Sequence, residues 1–281
     1  MRESIDGASF AQAMIHAAAS LNLQKQQINE LNVFPVPDGD TGTNMSLTLG
    51  TAAAELRKRQ PHTVGEAAAT NASALLRGAR GNSGVILSLL FRGFAKAVKD
   101  KDSIDGRDLA IALDFGVAAA YKAVMKPAEG TILTVSRLTA ARAADAARQT
   151  PNDPEAVLEA AIAEGQLALE HTTEMNPVLK KAGVVDAGGK GFLVILQGML
   201  DSLRGVPMPE GDGEGEAKVE SKTDYAAIAA EEITFTFDTV FIVRKTSPHK
   251  GLEAFEAYLN SIGDSLVIGE DDDCFKVHVH T

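Results

Sequence analysis

The chain has no tryptophan, one cysteine and few aromatic residues, 5% of its 281. So few rings exclude a stacking platform for single-stranded nucleic acid. One thiol, Cys274, cannot make an internal disulfide framework or an all-cysteine zinc site. Cations are also short: 27 Lys and Arg stand against 38 Asp and Glu, a formal net charge of −11. Nucleic-acid backbones need clustered basic residues, so no nucleic-acid partner is expected. No uninterrupted apolar stretch nears the ~18–20 residues of a membrane span. The opening Met1-Arg2-Glu3-Ser4-Ile5-Asp6 is polar and acidic, unlike a secretory signal. A soluble protein of a reducing compartment, the cytoplasm, is the expectation.

What is present is a packed-globule composition, 45% apolar and 23% charged, divided into two patterns near residue 206. Residues 1–205 are rich in Ala and Leu at helical spacing, as in Phe10, Met14 and Ile15 or Val157, Leu158 and Ile162. Pro154-Glu155 reads as a helix start, and Asn82-Ser83 as a cap after a helix that ends near Arg80. No alternating strand occurs before residue 230. The expected fold is an all-α domain over 1–205. An acidic flexible linker follows over 206–229, where residues 209–224 carry six acids, two bases and three glycines. Residues 230–281 read as the start of an α+β domain: strands over 234–243, 265–268 and 275–280, with a helix over 251–262. That last unit is short for a core of its own, so the domain is expected to continue beyond Thr281.

The chemistry concentrates in Leu31-Asn32-Val33-Phe34-Pro35-Val36-Pro37-Asp38-Gly39-Asp40-Thr41-Gly42-Thr43-Asn44-Met45. Two prolines hold the chain extended, the glycines let it turn, and a helix begins near Thr43. Asp38 and Asp40 can aim two carboxylates at one point, an arrangement that is costly without a cation between them. Hard oxygens with few protein contributors suit Mg²⁺ completed by water and phosphate. Amides after Asp40, with the Thr41 and Thr43 hydroxyls, would receive an anion at the helix start. An isolated Asp-Gly-Asp is more often a surface turn with a cap. An EF-hand fails on spacing, because its glycine position would fall on Thr43 and its glutamate position on Leu49.

Three more small-residue turns open helices: Gly78-Ala79-Arg80-Gly81-Asn82-Ser83-Gly84, Glu129-Gly130-Thr131-Ile132 and Val185-Asp186-Ala187-Gly188-Gly189-Lys190-Gly191. The last is no Walker A loop, since Lys190 is followed by Gly191 and no glycine sits five before Gly189. In an up-and-down ring, alternate loops fall at one end, where all four turns could face one nucleotide.

PVPDGDTGTNM, GARGNSGVILS, EGTILTVSR and VVDAGGKGF, in this order, resemble one family. It is the nucleotide-binding domain shared by the ADP-binding subunit of bacterial dihydroxyacetone kinase and the ATP-binding subunit of bacterial fatty acid kinase. The wording lies nearer the second branch, and residues 230–281 resemble the start of that branch's middle domain. The resemblance implies an eight-helix antiparallel barrel with ATP and Mg²⁺ at one end. It places metal ligands on Asp38 and Asp40, with Asn32 nearest a third. It places phosphate contacts on Thr41, Gly42, Thr43 and Asn44 and on Asn82 and Ser83. Base-side contacts fall near Thr131 and Ile132 and on Asp186, Ala187 and Gly188. No catalytic side chain is assigned. The implied reaction moves the γ-phosphoryl group to a fatty acid presented by a separate fatty-acid-binding protein, giving an acyl phosphate for phospholipid metabolism. Oligomeric state stays open, a homodimer included.

The resemblance also implies a structural zinc held by one Cys and two His in the middle domain. His278 and His280 match, while the Cys position falls on Asp238. An Asp-His-His site could still bind zinc. The simpler reading is two strand histidines on one face without metal. A fatty carboxylate is already ionised at pH 7 and needs no general base, which suits a motif with no His or Lys beside it. The alternatives are a non-catalytic nucleotide sensor and a dihydroxyacetone-type kinase subunit.

Overall fold

Acids and hydroxyls open most of the helices of this computed structural model, which describes residues 3–124, 126–211, 235, 237–246, 252–270 and 273–281. Asp6 caps α1 (Gly7–Asn29) by accepting from the Ser9 amide at 2.8 Å. After the proline- and acid-rich loop comes α2 (Thr41–Arg59). Thr63 and Glu66 form a reciprocal capping box at the start of α3 (Val64–Gly78). A two-residue turn leads into α4 (Gly81–Ala97). Asp105, Thr131 and Asp153 cap α5 (Gly106–Ala123), α6 (Ile132–Gln149) and α7 (Pro154–Met175), the last with proline in its first turn. Between α7 and the Asp186-capped α9 (Ala187–Leu203) lies a short helix, α8 (Pro177–Ala182).

Each long helix packs on the next, and α9 packs on both α7 and α1. The eight long helices α1–α7 and α9 therefore close an antiparallel barrel, as the resemblance implies. Its interior is apolar: Met14, Leu21, Leu49, Leu75, Leu87 and Leu109 are fully buried. A buried Leu contributes about 1.5–3 kcal/mol, so this interior is the main source of stability.

The structure departs from the sequence reading in local detail. A two-residue antiparallel ladder, β1 (Ile5–Asp6) with β2 (Ser103–Ile104), ties the start of α1 to the start of α5. Two residues carry no readable period. α2 begins at Thr41, two residues earlier than expected, and α3 ends at Gly78. α4 starts at Gly81 with Arg80 flanking it and no side-chain cap, so Asn82 and Ser83 lie inside its first turn.

Beyond residue 237 the chain forms β3 (Asp238–Arg244), α10 (Glu253–Ile262), β4 (Asp264–Glu270) and β5 (Cys274–His280). The sheet is antiparallel with order β3-β5-β4. On one face Leu266, Ile268, Val277 and Val279 pack with Leu259 of α10 in a small core. β5 alternates, so Lys276, His278 and His280 share the other face. That face meets the barrel: Val267 joins its core, Val124 bridges to Val267, and Gly269 lies against Leu76, Val85 and Ser88. Residues 234 and 236 of the expected first strand, and the linker from 212 on, lie outside the described residues. No described helix is long and apolar enough to cross a membrane.

Candidate functional site

Alternation around the ring starts α2, α4, α6 and α9 at one end, and side-chain contacts join these starts. Asn44, in the first turn of α2, packs against Gly81, whose φ of +57° suits glycine and whose Cβ position would lie 2.5 Å from Asn44 Nδ2. Met45 packs on Gly191 in the first turn of α9. Asp186 accepts from the Gly189 amide at 2.7 Å and from the Ile132 amide, bridging the starts of α9 and α6. The four turns quoted from the sequence thus meet around one mouth.

At that mouth Asp38 and Asp40 are brought within hydrogen-bonding reach of each other, with Gly39 turning between them at φ +68°. Asp38 lies at the surface, yet its carboxyl is crowded. Burial of the group, then the charge of Asp40 and the contact with it, push its pKa up to about 7. Two carboxyls held this way favour either a shared proton or a cation.

Asn32 does not stand open as the third metal ligand. Its Oδ1 accepts from the Asp40 amide at 3.1 Å, the Thr41 amide at 2.8 Å and the Thr41 hydroxyl at 2.6 Å. Its Nδ2 donates to the Val36 carbonyl at 2.9 Å. A neutral oxygen receiving three donors clamps the loop and has no lone pair left for an ion.

The phosphate cradle expected at α2 is altered in the same way. The Thr43 amide donates to Asn29 Oδ1 at 3.0 Å, and Asn29 Nδ2 donates to the Thr43 hydroxyl oxygen at 3.0 Å. The Asn44 amide donates to the Asp40 carbonyl at 2.8 Å. Gly42 lies so close to α1 that a Cβ would sit 2.1 Å from the Lys25 carbonyl oxygen. Glycine here is demanded by packing, and the amides of Asp40, Thr41 and Thr43 already have acceptors. Asn29 and Asn32 were missed as clamps by the sequence reading; their three-residue spacing at the end of α1 was the available signal.

The α4 turn is less satisfied. The Arg80 amide donates to Thr48 Oγ1 at 3.1 Å, and Ser83 is half-buried in the first turn. Among the described residues, Asn82 Oδ1 is enclosed without a donor. At the far turn Thr131 caps α6 and donates to the Ala128 carbonyl at 2.7 Å. Ile132, Ala187 and Gly188 are buried, with the Cβ position of Gly188 3.3 Å from Ile132 Cβ. Burial drives the Asp186 pKa up to about 6 although two amides oppose it. Its carboxyl is committed to the two helix starts. Glu129 accepts from Arg137 at 2.8 Å, Thr134 at 2.7 Å and Tyr121 at 3.0 Å, a network beside Gly130 that the sequence did not reveal.

The sheet adds a second cluster. One ligand atom each from Asp238, His278 and His280 lies within 4.8 Å of the others. His278 is 1% exposed and neither ring nitrogen is hydrogen-bonded; Nδ1 is 3.1 Å from Asp238 Oδ1 but poorly aligned. Burial, then the neighbouring His280, lower its pKa to about 4, and Asp40 opposes the shift. A neutral, enclosed imidazole facing a carboxylate fits zinc. The charge of Asp40 reaching His278 also shows that the Asp-Gly-Asp motif, bare of histidine in sequence, has one nearby in space.

A family model described as DAK2 domain matches residues 35–201, more than half of the chain. The chain belongs to the DAK2 domain family. A second family model, the FakA-like middle domain of fatty acid kinase, matches residues 234–281 after the DAK2 domain. Protein YloV of Bacillus subtilis is 41% identical over 99% of this chain and 51% of its own length. An uncharacterized protein of Staphylococcus haemolyticus is 41% identical over all of this chain and 52% of its own. The chain therefore spans about half the length of these DAK2 relatives. The crystal structure of the dihydroxyacetone kinase of C. freundii is similar in fold, with TM-score 0.50 and 22% identity over 72% of this chain and 35% of that one.

Proposed function

We propose that the chain is the nucleotide-binding part of an ATP- and Mg²⁺-dependent phosphotransferase that phosphorylates the carboxylate of a fatty acid presented by a separate fatty-acid-binding protein. The paired carboxyls of Asp38 and Asp40, held at a mouth where four helix starts meet, carry the reading. Membership in the DAK2 family supports the phosphotransferase class, and the second domain match supports the fatty acid branch. The domain division at 206–229 is kept, supported by α9 ending at Leu203 and β3 starting at Asp238.

The residues fit Mg²⁺: Asp38 and Asp40 supply anionic oxygens, and the orphaned Asn82 Oδ1 is a further acceptor at the adjoining turn. The ion would neutralise charge on the transferring phosphoryl group. Asn32 and Asn29 preorganise the loop, so Asp38 and Asp40 need little rearrangement on binding. The first turn of α4, with Ser83, is the open helix start for phosphate oxygens. Thr131, Ile132, Ala187 and Gly188 form a tight wall for the base. An ionised acyl carboxylate attacks without a general base. Asp238, His278 and His280 would hold zinc as a structural ion, bracing β3 against β5.

The direct test measures ATP consumption with a fatty-acid-loaded binding protein, and separately with dihydroxyacetone and its substrate subunit. Turnover with the first alone is the expected result. Turnover only with the second would make this a hydroxyl kinase, and nucleotide binding without turnover in both would make it a sensor.

A further inference from the structure

We propose that Lys276 is a positioning residue that couples the small sheet to the phosphate end of the barrel, holding the α3–α4 turn so that Asn82 and Ser83 face the nucleotide. The proposal deepens the kinase reading and rests on it.

Lys276 is 5% exposed, an unusual setting for an ammonium. It donates to the carbonyl of Ala79 and, at 3.4 Å, to that of Arg77. No carboxylate pairs with it among the described residues. Burial, then the like charge of Arg80, lowers its pKa. What holds the cation is the end of a helix. The last carbonyls of α3 have no intrahelical donors and carry the negative end of the helix dipole. Lys276 caps them from 197 residues away in sequence.

The turn it grips is short. Ala79 is followed by Arg80, whose amide bonds Thr48 Oγ1, and then by Gly81, packed on Asn44. One side of the turn is thus fixed by α2 and the other by β5. The next two residues are Asn82 and Ser83. Register on the sheet side is set by close packing: a Cβ at Gly269, paired with Lys276, would lie 2.7 Å from Leu76 Cδ1. Two residues along β5, His278 lies within reach of the Asp40 charge, so the same strand borders the carboxyl pair. Removing the ammonium would orphan two carbonyls and free the α3–α4 turn without touching the ligand itself.

The test compares the full chain with Lys276→Met, which keeps the stem and loses the charge, and Lys276→Arg, which keeps a cation. Readouts are affinity for a fluorescent ATP analogue with Mg²⁺, amide hydrogen exchange at residues 80–84, and the thermal midpoint. The Met variant should bind the analogue at least ten times more weakly, exchange faster at residues 80–84, and melt near the parent. The Arg variant should recover part of the affinity. Affinity within twofold of the parent in the Met variant overturns the proposal. So does a joint loss of affinity and thermal midpoint that Arg does not restore. If the parent binds no nucleotide, the kinase reading fails, and the exchange data alone then judge the lysine: unchanged exchange at residues 80–84 overturns its hold on the turn.

Discussion

Asn32 receives both polar hydrogens of Thr41 on one oxygen, the amide at 2.8 Å and the hydroxyl at 2.6 Å. The bond ties the end of the α1 region to the first residue of α2, directly beside the carboxyl pair. Asn32→Ala should destabilise the protein by about 2–4 kcal/mol, because it removes several bonds and leaves buried donors unmet. It should also weaken Mg²⁺-nucleotide binding. Chemical denaturation and a binding titration check both effects; a stability unchanged within ~0.5 kcal/mol would show that the clamp is idle.

Asp38→Ala and Asp40→Ala should each reduce Mg²⁺-dependent nucleotide binding by roughly a hundredfold or more while helical circular dichroism is kept. Calorimetry with and without Mg²⁺ measures this. Binding equal to the parent would remove the metal assignment.

With its pKa near 7, Asp38 holds a proton through the acidic range in the ion-free protein. A cation must displace that proton, so apparent Mg²⁺ affinity should fall up to about tenfold per pH unit below 7. Calorimetry in buffers of different ionisation enthalpy should record proton release near pH 6.5. Release of no protons there contradicts the shared-proton geometry.

Asp186 has a folded pKa above its ordinary 3.8, at about 6. Between those values the folded state holds the proton more tightly than the unfolded state, so this group makes stability fall as pH rises through the window. Asp186→Asn keeps an oxygen for the Gly189 and Ile132 amides and should abolish that slope. Asp186→Ala should cost about 2–4 kcal/mol by orphaning both amides. Urea unfolding at pH 4.5 and 7 separates the variants.

If zinc occupies the sheet cluster, metal analysis of the full chain should find close to one equivalent. His278→Ala should lose it, and chelation should lower the thermal midpoint of the parent. Absence of bound zinc, with no thermal response to added zinc, would restore the metal-free reading of Asp238, His278 and His280.

The ring of helices was legible because Ala-rich amphipathic spacing and capping residues are local signals: Asp105, Thr131, Asp153 and Asp186 each sit where a helix opens. The Asp38–Asp40 pair was legible for the same reason, two residues of chain fixing two carboxyls. The role of Asn32 was not. A motif shows which groups are near in sequence, and the donors that fill its oxygen are set by how α1 meets α2. Lys276 was hidden further still, since nothing in Lys276-Val277-His278-Val279-His280 says which helix end the alternating face will meet.

Gly42 touches the backbone of α1 so closely that no other residue fits, whether or not the mouth performs chemistry. A DAK2 relative that had lost its acids would still need hydrogen as the side chain there. The glycines of this segment are thus a mark of architecture, and only the carboxylates beside them report on catalysis. Sorting relatives into working kinases and silent scaffolds should weigh positions 38 and 40 and disregard position 42.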